Sequence, residues 1–385
     1  MTAALMAAAV PAAVAQEPTP HWTAQRMTGP VGSMHIVTGA NDRGQVVGWG
    51  VTGDAEWRSF LWDGTRLTAP PALPDGTEPQ FEAINDKGQV AGYDKQPDGS
   101  RRAVLWSPEG RPRVLGATNI LGVKDLNERG QVLIDSRAHQ RDLVWDGDRL
   151  RTVTSPDPDD AAAPTQGFRL NNRGQVLANT YPRLTPAPQP RPERTFVWRD
   201  GASNWIPAPP GTEGEEILPA GFTERGLSAA EVGNPFDSSD RRPYLTWRGK
   251  VTQLPPPSGS DHAVLSRRQD TLNERGDAVG TAFDPRTGER RAVLWSHGQP
   301  RELGGGLGSD TEAIVLNERG DAAGWSETAG GVPHAVLWRD GRMHVLGTPE
   351  GYVSSRATFV TERGDVAGTA ISEAGDVHAF LWRLR

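Results

Sequence analysis

Residues 81–93 read Phe81-Glu82-Ala83-Ile84-Asn85-Asp86-Lys87-Gly88-Gln89-Val90-Ala91-Gly92-Tyr93. Phe81 to Ile84 alternates apolar and polar positions, as a half-buried strand does. Asn85 suits the first position of a turn, and Gly88 accepts the left-handed backbone that closes a hairpin with a bulge. Gln89 to Tyr93 is then the returning strand. Arg101 to Trp106 supplies a third strand, Ser107-Pro108-Glu109-Gly110 a second turn, and Arg113 to Leu115 a fourth strand. Two tight hairpins within about 44 residues match one four-stranded propeller blade. Its strands are lettered a to d.

The same turn recurs along the chain. Its glycines are Gly44, Gly88, Gly130, Gly174, Gly226, Gly276, Gly320 and Gly364, spaced 44, 42, 44, 52, 50, 44 and 44 residues apart. A tryptophan follows each glycine by 15 to 24 residues: Trp62, Trp106, Trp145, Trp198, Trp247, Trp295, Trp338 and Trp382. Repeats of this length stack into rings or solenoids, because one unit cannot bury its faces alone. The expected fold is all-β, a propeller of eight four-stranded blades. The last unit stops after strand c, while Trp22 to Met27 resembles a spare strand d. An N-terminal strand that completes the last blade would close the ring and remove an exposed edge. The alternatives are an open superhelical array and a seven-bladed ring with the fifth unit as an excursion. That unit fits the pattern worst, with Leu227-Ser228 after its glycine and Pro243 near strand c.

Composition agrees with a turn-rich β protein: Gly 45, Pro 32, Trp 13 and no cysteine. Disulfides, thiolate nucleophiles and Cys-ligated zinc are therefore excluded. The net charge of −7 is spread evenly without a basic block, which argues against nucleic-acid binding. Met1 to Ala15 reads as a secretory signal peptide ending in Ala13-Val14-Ala15, although no Lys or Arg precedes its apolar run. Residues 16–385 then form one propeller, secreted, expected to be monomeric, and without a membrane span.

Strand c reads Ser59-Phe60-Leu61-Trp62-Asp63-Gly64 in the first unit and His378-Ala379-Phe380-Leu381-Trp382 in the last. Together with Asn85-Asp86-Lys87-Gly88-Gln89-Val90-Ala91-Gly92, these stretches resemble the bacterial extracellular HAF repeat over nearly all of residues 30–385. Only the last unit carries the literal tripeptide. The resemblance implies an exported bacterial protein and brings no catalytic residues with it.

In a meander the a–b and c–d turns share one face of the disc, and the b–c and d–a connections share the other. The first set is short and uniform, whereas the second varies in length, as in Thr52 to Trp57, Ser136 to Gln140, Tyr181 to Glu193 and Ser155 to Gln166. Variable loops on a rigid scaffold tend to carry binding. Two slots lie on that face. Four residues before each strand-c tryptophan stand Arg58, Arg102, Arg141, Arg194, Pro243, Arg291, His334 and His378, which suit an acidic group. Five residues after the repeat glycine stand Trp49, Tyr93 and Trp325, an arc of aromatics on which sugar rings would stack. The competing readings are arginine stems covering neighbouring blades and aromatics filling gaps between them. The eight repeat tryptophans are expected between blades. The basic turn residues (Arg43, Lys87, Arg129, Arg173, Arg225, Arg275, Arg319 and Arg363), seven of them beside an acid, are expected to be solvated or to bridge blades.

No metalloprotease, nucleophile-elbow or phosphate-loop motif occurs, and no metal or cofactor is implied. The expected function is a secreted binding or scaffold propeller, its partner a carbohydrate or an extracellular protein met at the b–c/d–a face. One alternative is a polysaccharide hydrolase or lyase whose carboxylates, among Asp94, Asp157, Asp240 and Asp310, meet in the funnel. The other is a structural surface or assembly protein.

Overall fold

The computed structural model describes residues 22–28, 34–52, 56–71, 73–76, 78–136, 140–157, 163–180, 192–266 and 270–384. The expected signal peptide and the centres of the Thr52, Ser136 and Tyr181 connections lie outside them.

Eight meanders of four antiparallel strands follow one another. The first strand, β1 (Trp22–Arg26), stands apart from this order. Blade 1 is β2 (Met34–Ala40), β3 (Val46–Val51), β4 (Trp57–Trp62) and β5 (Leu67–Thr68). Blade 2 is β6 (Glu78–Ile84), β7 (Val90–Lys95), β8 (Arg101–Trp106) and β9 (Pro112–Thr118). Blade 3 is β10 (Ile120–Leu126), β11 (Val132–Ser136), β12 (Leu143–Asp146) and β13 (Arg149–Thr152). Blade 4 is β14 (Thr165–Leu170), β15 (Val176–Thr180), β16 (Arg194–Arg199) and β17 (Ala202–Trp205). Blade 5 is β18 (Ile217–Phe222), β19 (Ser228–Val232), β20 (Arg242–Trp247) and β21 (Lys250–Gln253). Blade 6 is β22 (His262–Leu265), β23 (Ala278–Phe283), β24 (Arg290–Ser296) and β25 (Gln299–Glu302). Blade 7 is β26 (Thr311–Leu316), β27 (Ala322–Glu327), β28 (Pro333–Arg339) and β29 (Arg342–Val345). Blade 8 is β30 (Tyr352–Val360), β31 (Val366–Ser372) and β32 (Val377–Leu384). Its fourth strand is β1, which pairs antiparallel with β32 from Trp22↔Leu384 to Arg26↔Phe380. The expected closure is present, and the ring has eight blades.

All eight repeat glycines have positive φ, from 73° to 90°. Seven repeat tryptophans are buried between blades, at 0 to 5% exposure. Trp106, Trp295, Trp338 and Trp382 also donate their indole N–H to the carbonyls of Pro71, Pro255, Gly304 and Gly347 in the connection leading into the same blade. Trp247 is the exception, at 41% exposure. In the second blade Val90 pairs with Trp106, whereas the corresponding Ser228 of blade 5 pairs with Thr246. The fifth tryptophan is one residue out of register, and a one-residue slip moves a side chain to the opposite face. The same shift makes Arg242, not Pro243, the blade 5 member of the cationic slot.

The turn quartet holds neighbouring blades together. In each turn the second residue's backbone N–H donates to the second residue's side chain in the next blade. The order is Asp42→Asp86→Glu128→Asn172→Glu224→Glu274→Glu318→Glu362→Asp42, a closed cycle of eight bonds. The leading asparagine adds a second clamp, since the amide of Asn41, Asn85, Asn127, Asn171, Asn273 or Asn317 donates to the first carbonyl of the next turn. Thr223 and Thr361 lack the amide at this position. The basic residues point to solvent, and Arg225 alone of them bridges blades, to Glu274 at 3.4 Å.

Candidate functional site: the axial channel

Strand a is the innermost strand of each blade and lines the axis. Seven a-strands carry a bulge two or three residues before the turn, at Val37/Gly39, Phe81/Ala83, Val123/Asp125, Gly167/Arg169, Pro219/Gly221, Ala313/Val315 and Ala357/Phe359. A bulge re-aims side chains and sharpens the local twist, and here it presents selected residues to the channel. In blade 6 the bulge is enlarged. Ser266 donates its N–H to Val279, while Val279 donates to Thr271, so an insert separates the two bulge positions. The insert ends in Asp270, which lines the axis.

Arg169 of blade 4 and Asp270 of the blade 6 insert meet across blade 5, at 3.0 Å. Gly221 occupies the matching position of blade 5 and adds no side chain there. Asp125 of blade 3 lies 3.7 Å from the guanidinium and accepts the Leu170 N–H at 2.7 Å. Burial works against the charge of Arg169, but Asp125 and Asp270 more than offset it and hold its pKa above the ordinary arginine value. Burial pushes the Asp125 carboxyl up, against the pull of Arg169.

This cluster stands between two chambers. The narrower one, about 340 Å³, opens at the turn quartets. Its wall holds the carboxylates of Asp42, Asp86, Asp125, Glu128, Glu224, Asp270, Glu274, Glu318 and Glu362 against the single guanidinium of Arg169. Burial raises the carboxyl pKa of Asp42, Glu224, Glu318 and Glu362, while the backbone N–H that each accepts opposes that rise. The wider chamber, about 750 Å³, opens on the b–c/d–a face. Val37, Phe168, Pro219, Val315 and Phe359 give it apolar walls, and Lys124, Glu193 and Asp270 are its charged groups. Lys124 is held by Asp142 at 2.9 Å and Asp135 at 3.2 Å. Burial lifts the Asp142 carboxyl to about 6 despite Lys124.

None of the site residues expected from sequence lines either chamber. Tyr93 and Trp325 are buried, at 5% and 1% exposure. Arg101 covers the Tyr93 ring, and Arg290 and Arg356 cover Trp325. The aromatic arc is thus inter-blade filling, and only Trp49 is half-exposed, edge-on to Trp57. Most side chains of the cationic slot find partners within the protein. Arg58 pairs with Glu56, Arg102 with Asp75 and Asp94, Arg194 stacks on Trp205, and Arg291 pairs with Asp284. His334 meets Thr348, His378 meets the Tyr352 hydroxyl at 3.1 Å, and half-buried Arg141 bridges through its backbone to Thr165. Burial lowers the His378 pKa to about 4, with Arg26 and His35 adding to the effect.

The carboxylates named for a hydrolase do not converge. Asp94 serves Arg102, Asp310 serves Arg290, and Asp240 accepts the Asn234 N–H. Among the described residues no group of three His, Asp or Glu is placed to hold a metal, and no helix is long and apolar enough to cross a membrane. The Arg169–Asp125–Asp270 cluster did leave a trace in the sequence. At the second residue before the turn, the repeat carries Gly39, Ala83, Gly221, Thr271, Val315 and Phe359, but Asp125 and Arg169 in adjacent units. The 50-residue spacing into unit six includes the blade 6 insert.

No protein-family model matches the chain, and no curated protein matches it. Solved propellers do. The propeller domain of the Trilobed protease from Pyrococcus furiosus is 13% identical with a TM-score of 0.50, over 84% of this chain and 98% of that one. That propeller has an open velcro topology, whereas β1 closes the ring here. The acylaminoacyl peptidase of Pyrococcus horikoshii is 12% identical with a TM-score of 0.51, over 89% of this chain. An acylaminoacyl peptidase bound to Z-Gly-Gly-Phe-chloromethyl ketone is 13% identical with the same TM-score. The present chain spans 58% of the length of these two peptidases. Such identities establish the fold alone. These three propellers belong to peptidases, which speaks against the expected carbohydrate- or surface-protein-binding module.

Proposed function

We propose that this chain is a peptidase-type propeller that receives peptide in its axial channel and leaves peptide chemistry to another catalytic unit. The observation that carries this reading is the channel lining. An apolar-walled chamber leads to a carboxylate-bearing waist, with an acidic chamber beyond it. A low-dielectric cleft lined by one sign of charge focuses its field on ligands of the other sign. A peptide with a free α-ammonium and an apolar first side chain matches both features, the amine at Asp270 and the side chain against Phe168 and Phe359. The HAF-repeat kinship and export through the Met1–Ala15 leader belong to the same proposal, and a mature N-terminus at Gln16, read by mass spectrometry of exported protein, is its expected sign.

Calorimetry with short apolar peptides tests the reading. Peptides with a free N-terminus should bind, their acetylated forms should bind at least about tenfold more weakly, and Asp270→Asn should remove the difference. Equal binding of free and acetylated forms, or no binding of either, would sink it.

A further inference from the structure

The register slip in blade 5 leaves a second cleft that the channel does not use. Trp247 faces outward and lines a cavity of about 460 Å³ between blades 5 and 6, over Leu227 and Leu245. Arg225, Lys250 and Arg275 also line it, against Glu274 alone. Arg225 is paired with Glu274 and Arg275 with Asp277, while Lys250 has no ion pair among the described residues. Arg248 lies 4.6 Å from the indole centroid. This cleft is locally cationic in a chain whose net charge is −7. It also sits at one of the two blade interfaces where threonine replaces the clamping asparagine, here Thr223.

The cleft has an edge that favours one kind of ligand. β21 is the outermost strand of blade 5, paired on one side with β20. Lys250 and Thr252 of β21 line the cavity, and Thr252 lies against Gly298 of the blade 6 turn. An extended peptide can add to such an edge through its backbone while alternate side chains enter the adjoining pocket. We infer that the Trp247 cleft is a docking site for an acidic, extended peptide segment. An apolar side chain of that segment packs on Trp247, and its carboxylates face Lys250, Arg225 and Arg275. Buried aromatic anchors beside cations are the usual hot spots of such contacts.

The test uses the full chain, an acetylated hexapeptide of alternating Glu and Leu, its Lys/Leu counterpart, and inorganic phosphate. The Glu/Leu peptide should bind, more weakly as salt is raised, and the Lys/Leu peptide should not. Trp247→Ala should weaken binding about tenfold or more. Lys250→Glu, a surface change, should weaken it at least about threefold. Equal binding of the two peptides, no binding, or full affinity in both variants overturns the proposal. So does phosphate competing at the peptide's own affinity, which would make the cleft a simple anion site.

Discussion

Asn127 makes four hydrogen bonds with one side chain. Its amide donates to Gln131 at 2.7 Å and to the Asn171 carbonyl at 2.8 Å, and its oxygen accepts the Arg129 and Gln131 N–H groups. Asn127→Ala strands several buried groups at once and should cost roughly 2–4 kcal/mol in urea unfolding. Arg129→Ala, in the same turn, should stay within about 0.5 kcal/mol. Glu82 of blade 2, which accepts the Val123 N–H of blade 3, can be tested by titration. Burial lifts its carboxyl to about 7, against the pull of the Val123 N–H and Arg101. A carboxyl whose folded pKa exceeds its unfolded value costs stability above pH 7. That cost fades as the pH falls through 7 and is gone below about 4.3. Glu82→Gln keeps an acceptor for Val123, so it should raise the melting temperature at pH 8 and leave it unchanged at pH 4. A gain of equal size at both pH values would mean that the charge is irrelevant.

At the scale of strands and turns, much of the fold was legible because periodicity reports it directly. The quartet Asn-acid-base-Gly located the hairpins, and the tryptophan spacing located strand c. Which member of the quartet joins the blades was not legible, because a turn sequence does not say which side chain reaches the next turn. The acid and the asparagine do so, and the conspicuous arginines are solvated. The channel residues were hidden for a related reason. Asp125, Arg169 and Asp270 come from three different blades, and nothing local marks them as neighbours. Unit five is the instructive case, since its poor match reflected a register slip rather than a lost blade. Trp295 fills an inter-blade gap at 0% exposure, whereas Trp247 is 41% exposed. Trp295→Ala should therefore cost about 3–5 kcal/mol and Trp247→Ala less than about 1, measured by the same denaturant titration. Similar losses at the two sites would contradict the register assigned to β20.

A ring of eight blades has one place where chain order and spatial order part, and here several contacts join it. β1 completes blade 8, Glu362 donates its N–H to Asp42, and Met34 of β2 forms a single parallel bridge with Val377 of β32. Thr361 supplies no amide clamp at this junction, so β1 bears more of the closure than any outer strand elsewhere. Removing residues 1–28 would leave β32 as a bare edge while the hydrogen-bond cycle at the turns remained. Unpaired edges recruit strands from other molecules. The truncated chain should unfold at lower temperature and associate with rising concentration in light scattering, and a synthetic peptide of residues 22–28 should reverse both changes. A truncated chain that stays monomeric with the parent melting temperature would place the closure in the turn cycle instead of in β1.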